Sequence, residues 1–233
     1  MKKPLCFITG VGPGTGASIA RRFSTAGYRL AILARNKDRL HALAPELGPD
    51  TICLNCDVTD EDQLSGALSE LLGYGLPKVV INNAVGGTFG NYLEIDLHDI
   101  ERNFETNVMS VLRIARTLIP KMIENGGGSF LATGNTSAYR GKPNFAGFAP
   151  TKAAQRILLE SIARETGAKG IHCAYIAIDA VIDLEWTRKM APDKPDAFFC
   201  KPVDIAEEVF RISQQSPSAW SFESVIRPLG ENW

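Results

Sequence analysis

Lys152 follows Phe148 by four residues in "GFAPTK", a spacing that sets two side chains one above the other on a helix face. A lysine held there can supply a proton directly if burial lowers its pKa, because desolvation disfavours the ammonium. A phenylalanine ring has no proton to give, and its plain use is apolar packing at a helix start. Upstream, "ATGNTSAYRG" contains Asn135. Its amide N–H₂ can donate to a carbonyl oxygen or a developing enolate, as an oxyanion stabiliser does. The same side chain suits a turn, bonded to nearby backbone, and the residue types alone leave both roles open. Asn107 lies inside a long helical stretch where asparagine is a poor helix former, which suggests packing or holding a water. Asp179 and Asp183 offer an acid or base, or helix caps and salt bridges. Tyr139 carries a phenol, but four residues past Asn135 it is expected to turn away. None of His41, His98 and His172 falls in an expected pocket.

The strongest binding signal is "FITGVGPGTGASIARRF", where a short apolar strand runs straight into a glycine-rich loop and then a helix. Gly10, Gly12, Gly14 and Gly16 let the chain turn tightly and bring backbone N–H groups close to a pyrophosphate. That group then sits at the helix N-terminus beside Thr15. A lone glycine pattern is weak, but strand, loop and helix are all present here, as a dinucleotide site requires. The next strand ends "LAILARNKDRL". An NAD-type site places a carboxylate at that end for the adenosine 2′-hydroxyl. Ala34 stands there instead, followed by Arg35 and Asn36, and a guanidinium can grip a 2′-phosphate bidentately. The expected cofactor is therefore NADP(H) in preference to NAD(H).

These residues must be positioned by alternating strands and helices. Apolar runs mark strands at Leu5–Thr9, Arg29–Ala34, Thr51–Asn55, Val79–Asn82, Ser129–Thr133, Ile171–Ile178 and Ser224–Arg227. Helix-period stretches lie at Thr15–Ala26, Lys37–Ala44, Glu61–Leu72, His98–Glu124, Thr151–Thr166 and Val203–Gln214. Continuous apolar runs such as "KVVIN" and "CAYIAI" suit strands buried on both faces. The alternation implies an α/β, Rossmann-like doubly wound parallel sheet of about seven strands with helices on both faces, in one domain over residues 1–233. Residues 184–202 break the pattern with three prolines, several charges and Trp186, Met190, Phe198 and Phe199. They read as an insertion serving as a substrate lid.

Composition narrows the function classes. Basic and acidic residues number 25 and 26 and are interspersed, so no clustered basic face for nucleic acid is expected. No apolar run reaches bilayer length. The N-terminus reads as a first strand and not as a signal peptide, which gives a cytoplasmic expectation. The five cysteines, Cys6, Cys53, Cys56, Cys173 and Cys200, are expected to be free buried thiols. The pair Cys53 and Cys56 lacks a second pair or spaced histidines, so no metal site is expected.

With these motifs in order, the chain resembles the short-chain dehydrogenase/reductase family over essentially its whole length. Thr9, Gly10, Gly14 and Gly16 match its glycine loop. "CDVTD" resembles the third-strand motif, which implies that Asp57 and Val58 contact adenine. "NNAVGG" resembles the N-N-A-G after strand four, with Val85 in place of glycine, and implies cofactor contacts at Asn83 and Ala84. "NFETNVMSVLRIAR" resembles the segment bearing the family's catalytic-tetrad asparagine, here Asn107. The resemblance further implies that Lys152 holds the nicotinamide ribose, that Ile182 adjoins the cofactor, and that the helices carrying Asn107 and Lys152 pack into a homodimer or homotetramer. Val108, Leu112, Ile157 and Leu158 suit such packing, or equally a sheet-facing stripe.

The catalytic positions depart from that pattern. The family's acid/base tyrosine is Phe148 here, its substrate-binding serine is Asn135, and its P-G after strand six is Ile178–Asp179. These departures resemble a divergent branch that keeps the lysine beside phenylalanine. Three classes of function follow. One is an oxidoreductase with altered proton chemistry, reducing a conjugated C=C or an activated carbonyl of a small-molecule substrate. The second is a silent cofactor-binding protein or sensor, and the third an isomerase or dehydratase using an aspartate. Fold alone does not choose among them.

Overall fold

The structure, a computed structural model, describes residues 3–230. Strand β1 (Leu5–Thr9) enters helix α1 (Thr15–Thr25), and β2 (Arg29–Ala34), α2 (Lys37–Leu47), β3 (Ile52–Asn55), α3 (Glu61–Tyr74) and β4 (Val79–Asn82) follow. Next come α4 (Leu97–Phe104), α5 (Ser110–Glu124), β5 (Gly128–Asn135), α6 (Ala149–Thr166) and β6 (Ile171–Ile178). The chain then makes the short strand β7 (Val181–Ile182), α7 (Glu185–Met190), β8 (Phe199–Cys200), α8 (Pro202–Ser213) and β9 (Glu223–Ile226).

Seven strands form one sheet in the order β3-β2-β1-β4-β5-β6-β9, and every pairing is parallel. This is the Rossmann-like, doubly wound arrangement. The strand order reverses between β1 and β4, where a crevice opens at the carboxyl ends of the strands. Successive residues of β1 point to opposite faces, so each face has its own core. Phe7 joins Leu64, Leu68, Ile114, Leu118 and Leu159 of α3, α5 and α6 on one side. Ile8 joins Ile19, Phe23, Leu40, Ile205 and Val209 of α1, α2 and α8 on the other.

The long helix expected over His98–Glu124 is interrupted. A π-helical turn at Glu105–Met109 separates α4 from α5, and its centre is Asn107. Such a turn inserts one extra residue per ring and often marks a functional position. The Lys152 helix begins two residues earlier than expected, at Ala149, so Phe148 sits at its N-cap position. The stretch 184–202 is also more ordered than a loop: β7 and β8 pair in parallel, with α7 between them. Arg188 ties it down by a fork to both Asp183 oxygens at 2.7 and 2.9 Å, and by a bond to Asp196 at 2.6 Å.

All five cysteines are free, and among the described residues no cluster of His, Cys, Asp or Glu could hold a metal. No described helix is long and apolar enough to cross a membrane.

Candidate active site

The crevice is a cleft of about 1420 Å³ that runs from the glycine loop past Arg35 and Asp57 to Lys152. Gly10, Gly12, Gly14, Thr15, Gly16, Arg35, Asn36, Asp57, Val58, Asn83, Ala84, Asn135, Lys152 and Ile182 all line it. Asn107 does not.

The glycine loop is shaped by close approaches. Gly10 has φ +69°, and a Cβ there would overlap the backbone of Ala84 at the end of β4. A Cβ on Gly14 would stand 2.5 Å from Leu184 Cδ2, so Leu184 lies directly against the loop. Helix α1 has no side-chain cap at its N-terminus. Its first N–H groups are left for an anion, which the helix dipole also favours. Thr15 Oγ1 is buried there without a hydrogen-bond partner. An open helix end, a glycine cradle and an orphaned hydroxyl fit a pyrophosphate.

At the adenosine end, Asp57 Oδ2 lies 3.2 Å from Arg102 and 3.9 Å from Arg35. Burial alone would raise the Asp57 carboxyl. Two hydrogen bonds from Thr59 and the two guanidiniums outweigh it and hold the group below its usual range. Arg35 reaches into solvent, with 70% of its side chain exposed, and Arg39 joins it in the cleft wall. Asn36 Oδ1 caps α2 by accepting from Arg39 N at 2.9 Å.

The polar side chains expected around the chemistry divide into two sets. Asn83, Asn107 and Asn135 have structural bonds. Asn83 Nδ2 donates to Gly10 O at 2.8 Å, and its Oδ1 accepts from Thr133 at 2.9 Å, bracing the glycine loop against β5. Asn107 is fully buried and clips the loop after β4: its Oδ1 accepts from Gly86 N at 3.0 Å, and its Nδ2 donates to Gly86 O and Thr151 Oγ1 at 2.8 and 2.9 Å. Asn135 Nδ2 donates to Ile178 O at 3.0 Å, and its Oδ1 accepts from Ser137 N at 2.8 Å. Asn135 thus makes a turn that also holds β6, with one amide hydrogen left over. Asp179 meets Thr136, Arg140 and Arg227. Asp183 is held by Arg188, and Tyr139 points to Glu223.

Lys152 is different. It is 2% exposed, and desolvation pulls its pKa down to about 7. Its backbone N–H bonds Phe148 O at 3.2 Å in the first turn of α6. Its Nζ donates to Gln155 Oε1 at 2.7 Å and stands 5.9 Å from the Phe148 ring centroid. Among the described residues no carboxylate lies within ion-pair distance of it. Phe148 is buried and packs against Phe89 at 5.0 Å between centroids, and Phe89 meets Phe145 at 5.1 Å. Phe148 itself lines the cleft with Val85, Leu184 and Trp186, which give it an apolar mouth, and Phe89 and Phe145 back it from behind.

Sequence reading missed Gln155, Arg102 and the Phe89–Phe145 pair. Gln155 was open to view, because position i+3 from a lysine shares its helix face. Arg102, and Phe89 through its contact with Phe148, reach the site through tertiary folding and leave no local signal, whereas Leu184 falls in the expected lid segment.

A parallel sheet with an uncapped helix and glycine loop at its switch point defines a dinucleotide-binding protein of the doubly wound class. More narrowly, the chain belongs to the short-chain dehydrogenase family, whose model matches residues 5–193. It is an oxidoreductase family. The 7alpha-hydroxysteroid dehydrogenase of Escherichia coli (strain K12) is 32% identical over 238 residues, covering 96% of this chain and 91% of the relative. Among solved structures, an alcohol dehydrogenase from the archaeon Thermococcus sibiricus, complexed with 5-hydroxy-NADP, superposes with TM-score 0.87. It is 26% identical, over 99% of both chains. A 7 alpha-hydroxysteroid dehydrogenase complexed with NADH and 7-oxo glycochenodeoxycholic acid superposes with TM-score 0.84 at 28% identity, over 96% of this chain and 92% of the other.

Proposed function

We propose that this chain is an NADP(H)-dependent reductase of apolar small molecules bearing a conjugated C=C or an activated carbonyl, with Lys152 serving where the family uses tyrosine. The observation that carries this reading is Lys152 itself: a buried amine on the cleft wall, without a counter-ion, whose pKa of about 7 lets it exchange a proton near neutrality. A general acid is most effective when its pKa lies near the working pH.

Bound NADPH supplies the hydride. Arg35 and Arg39 give the adenosine end positive charge, which favours the extra phosphate, and Thr15 with the α1 N-terminus receives the pyrophosphate. Asp57, Val58, Asn83 and Ala84 form the surrounding wall. Phe148, Phe89 and Phe145 exclude water and accept an apolar substrate. Lys152 stabilises negative charge on the substrate oxygen and donates a proton to it. For an enone, the enol then tautomerises: water protonates the carbon, and the O–H proton is given back to Lys152 or to solvent. The spare N–H of Asn135 assists as a second donor, and Asn107 acts indirectly by fixing the loop after β4. Helix α7, with its Trp186, and the flanking Leu184 serve as the lid. The half-buried apolar residues of α5 and α6 join copies of the chain into a dimer or tetramer.

A second reading, a cofactor-binding protein without turnover, draws on the structural bonds of Asn135. The isomerase or dehydratase reading has less behind it, since Asp179 and Asp183 are both paired with arginines. One experiment separates them. Enones and ketones are screened with NADPH by absorbance, using wild type and Lys152→Ala. Enone-dependent NADPH oxidation that Lys152→Ala abolishes supports the reductase. Tight NADPH binding without oxidation across the panel supports the silent protein.

A further inference from the structure

Gln155 is fully buried on the same face of α6 as Lys152 and does not line the cleft. Its Oε1 accepts from Lys152 Nζ at 2.7 Å, while its Nε2 is buried with no partner. The reverse amide orientation would set N–H₂ against an amine, so the lysine fixes which way the glutamine faces. A methionine or leucine would fill this buried position without stranding an amide donor, but it would take the acceptor away from Lys152 Nζ. The bond to Lys152 is therefore what explains a glutamine here.

We propose that Gln155 is a positioning residue for Lys152: it anchors the amine from within the helix by an uncharged acceptor, so that Nζ stays at the cleft without a counter-ion. This rests on the reading of Lys152 as the proton donor. The side-chain type matters. A carbonyl oxygen accepts from an ammonium and from a neutral amine at the same place, and being uncharged it favours the ammonium only by the strength of one charge-assisted hydrogen bond. A carboxylate at the same place would stabilise the ammonium and keep it charged well above neutrality.

No other group supplies that charge. Helix α6 packs on β5, β6, the π-helical turn, and the short 3₁₀ turns at Thr136–Ala138 and Gly167–Lys169. Strand β5 has no titratable side chain. On β6, Tyr175 bonds the backbone of Asn135, His172 bonds Ser221 O, and Cys173 contacts Thr166. Glu105 of the π-helical turn is held by Arg113 at 2.6 Å. Tyr139, next to the first 3₁₀ turn, bonds Glu223, and Lys169 of the second is exposed. On α6 itself, Arg156 and Glu160 bond each other, Arg156 also bonds Glu223, Arg164 bonds Glu160, and Glu165, in the last turn, is exposed. Beyond β6, Asp179 and Asp183 are occupied by arginines.

The test is an NMR titration of lysine Nζ in cofactor-free protein, with Lys152→Met assigning the resonance, for wild type, Gln155→Glu and Gln155→Met. Gln155→Glu should raise the Lys152 midpoint by at least one pH unit, a tenfold or greater gain in proton affinity. Any enone-reduction limb should move by the same amount. Gln155→Met should lower kcat at least tenfold while changing KM for NADPH less than threefold. In wild type, the Gln155 side-chain amide resonance should titrate with the Lys152 midpoint, a reading that needs neither variant to fold. Midpoints unchanged in both variants, or a wild-type Gln155 amide that ignores the Lys152 titration, overturn the proposal. Absence of turnover with these NMR results intact overturns the reductase reading alone.

Discussion

Lys152 and Phe148 are neighbours in one helical turn, joined by the Lys152 N–H to Phe148 C=O bond of 3.2 Å, with Nζ 5.9 Å from the ring centroid. That distance is at the outer edge of a cation–π contact, about 6 Å, so the ring adds little to holding the amine. Phe148 thus contributes shape and dryness but neither charge nor proton. The polar work at this point of the cleft falls to the amine.

The ring can be given back a proton. Phe148→Tyr adds a hydroxyl to a ring on the same helical turn as Lys152, whose ammonium would favour the phenolate. The variant should gain measurable reduction of simple ketones, and Phe148→Tyr with Asn135→Ser should gain more. Asn135→Ser also removes the bond to Ile178 O, and should cost about 1–3 kcal/mol in stability. Steady-state ketone reduction and Tm for the four proteins check both parts. A double variant that binds NADPH normally but gains no ketone activity would show that the substrate pocket itself differs.

Burying Lys152 should cost stability, with a defined pH dependence. An unfolded lysine keeps its proton to about pH 10.4, whereas the folded one releases it near 7. Between those values the unfolded state binds the extra proton, so stability rises with pH across that window. Lys152→Met removes the penalty but strands Gln155 Oε1. The net gain should be about 2 kcal/mol at or below pH 7, shrinking towards pH 10. Denaturant melts at pH 6, 8 and 10 measure it. A destabilised variant at pH 6 would mean that Lys152 is charged and stabilised in the fold.

Arg35 should distinguish the two nicotinamide cofactors. Wild type should bind NADPH more tightly than NADH. Arg35→Ala should weaken NADPH by about 1.5–3 kcal/mol, the worth of a charged hydrogen bond, and NADH far less. Fluorescence titration at one stated salt concentration reads this. Equal losses would assign Arg35 to its contact with Asp57 instead.

Much of the frame was open in the sequence because its signals are local. Strand-loop-helix context around Gly10–Gly16 pointed to the glycine loop at the start of α1, and β-α alternation gave the sheet. The π-helical turn at Glu105–Met109 was hidden because its apolar spacing continues the helical period, and only the bonds of Asn107 to Gly86 and Thr151 betray it. Asn135 was ambiguous for a physical reason: an asparagine that donates to a substrate and one that closes a turn have the same side chain. Only the position of Ile178 O distinguishes them, and that carbonyl comes from a strand 43 residues away. The α7 segment looked like a loop because its helix is six residues long and held by Arg188, not by periodicity.

The central claim is that Lys152 is the proton donor, and the pH dependence of NADPH-dependent enone reduction tests it most directly. The donor must be protonated, so kcat should be level below neutrality and fall as pH rises through about 7. Lys152→Met should lose at least a hundredfold in kcat, the lower end of what general acid catalysis supplies, while still binding NADPH. A rate that holds level to pH 9, or a Lys152→Met variant as fast as wild type, would contradict the account.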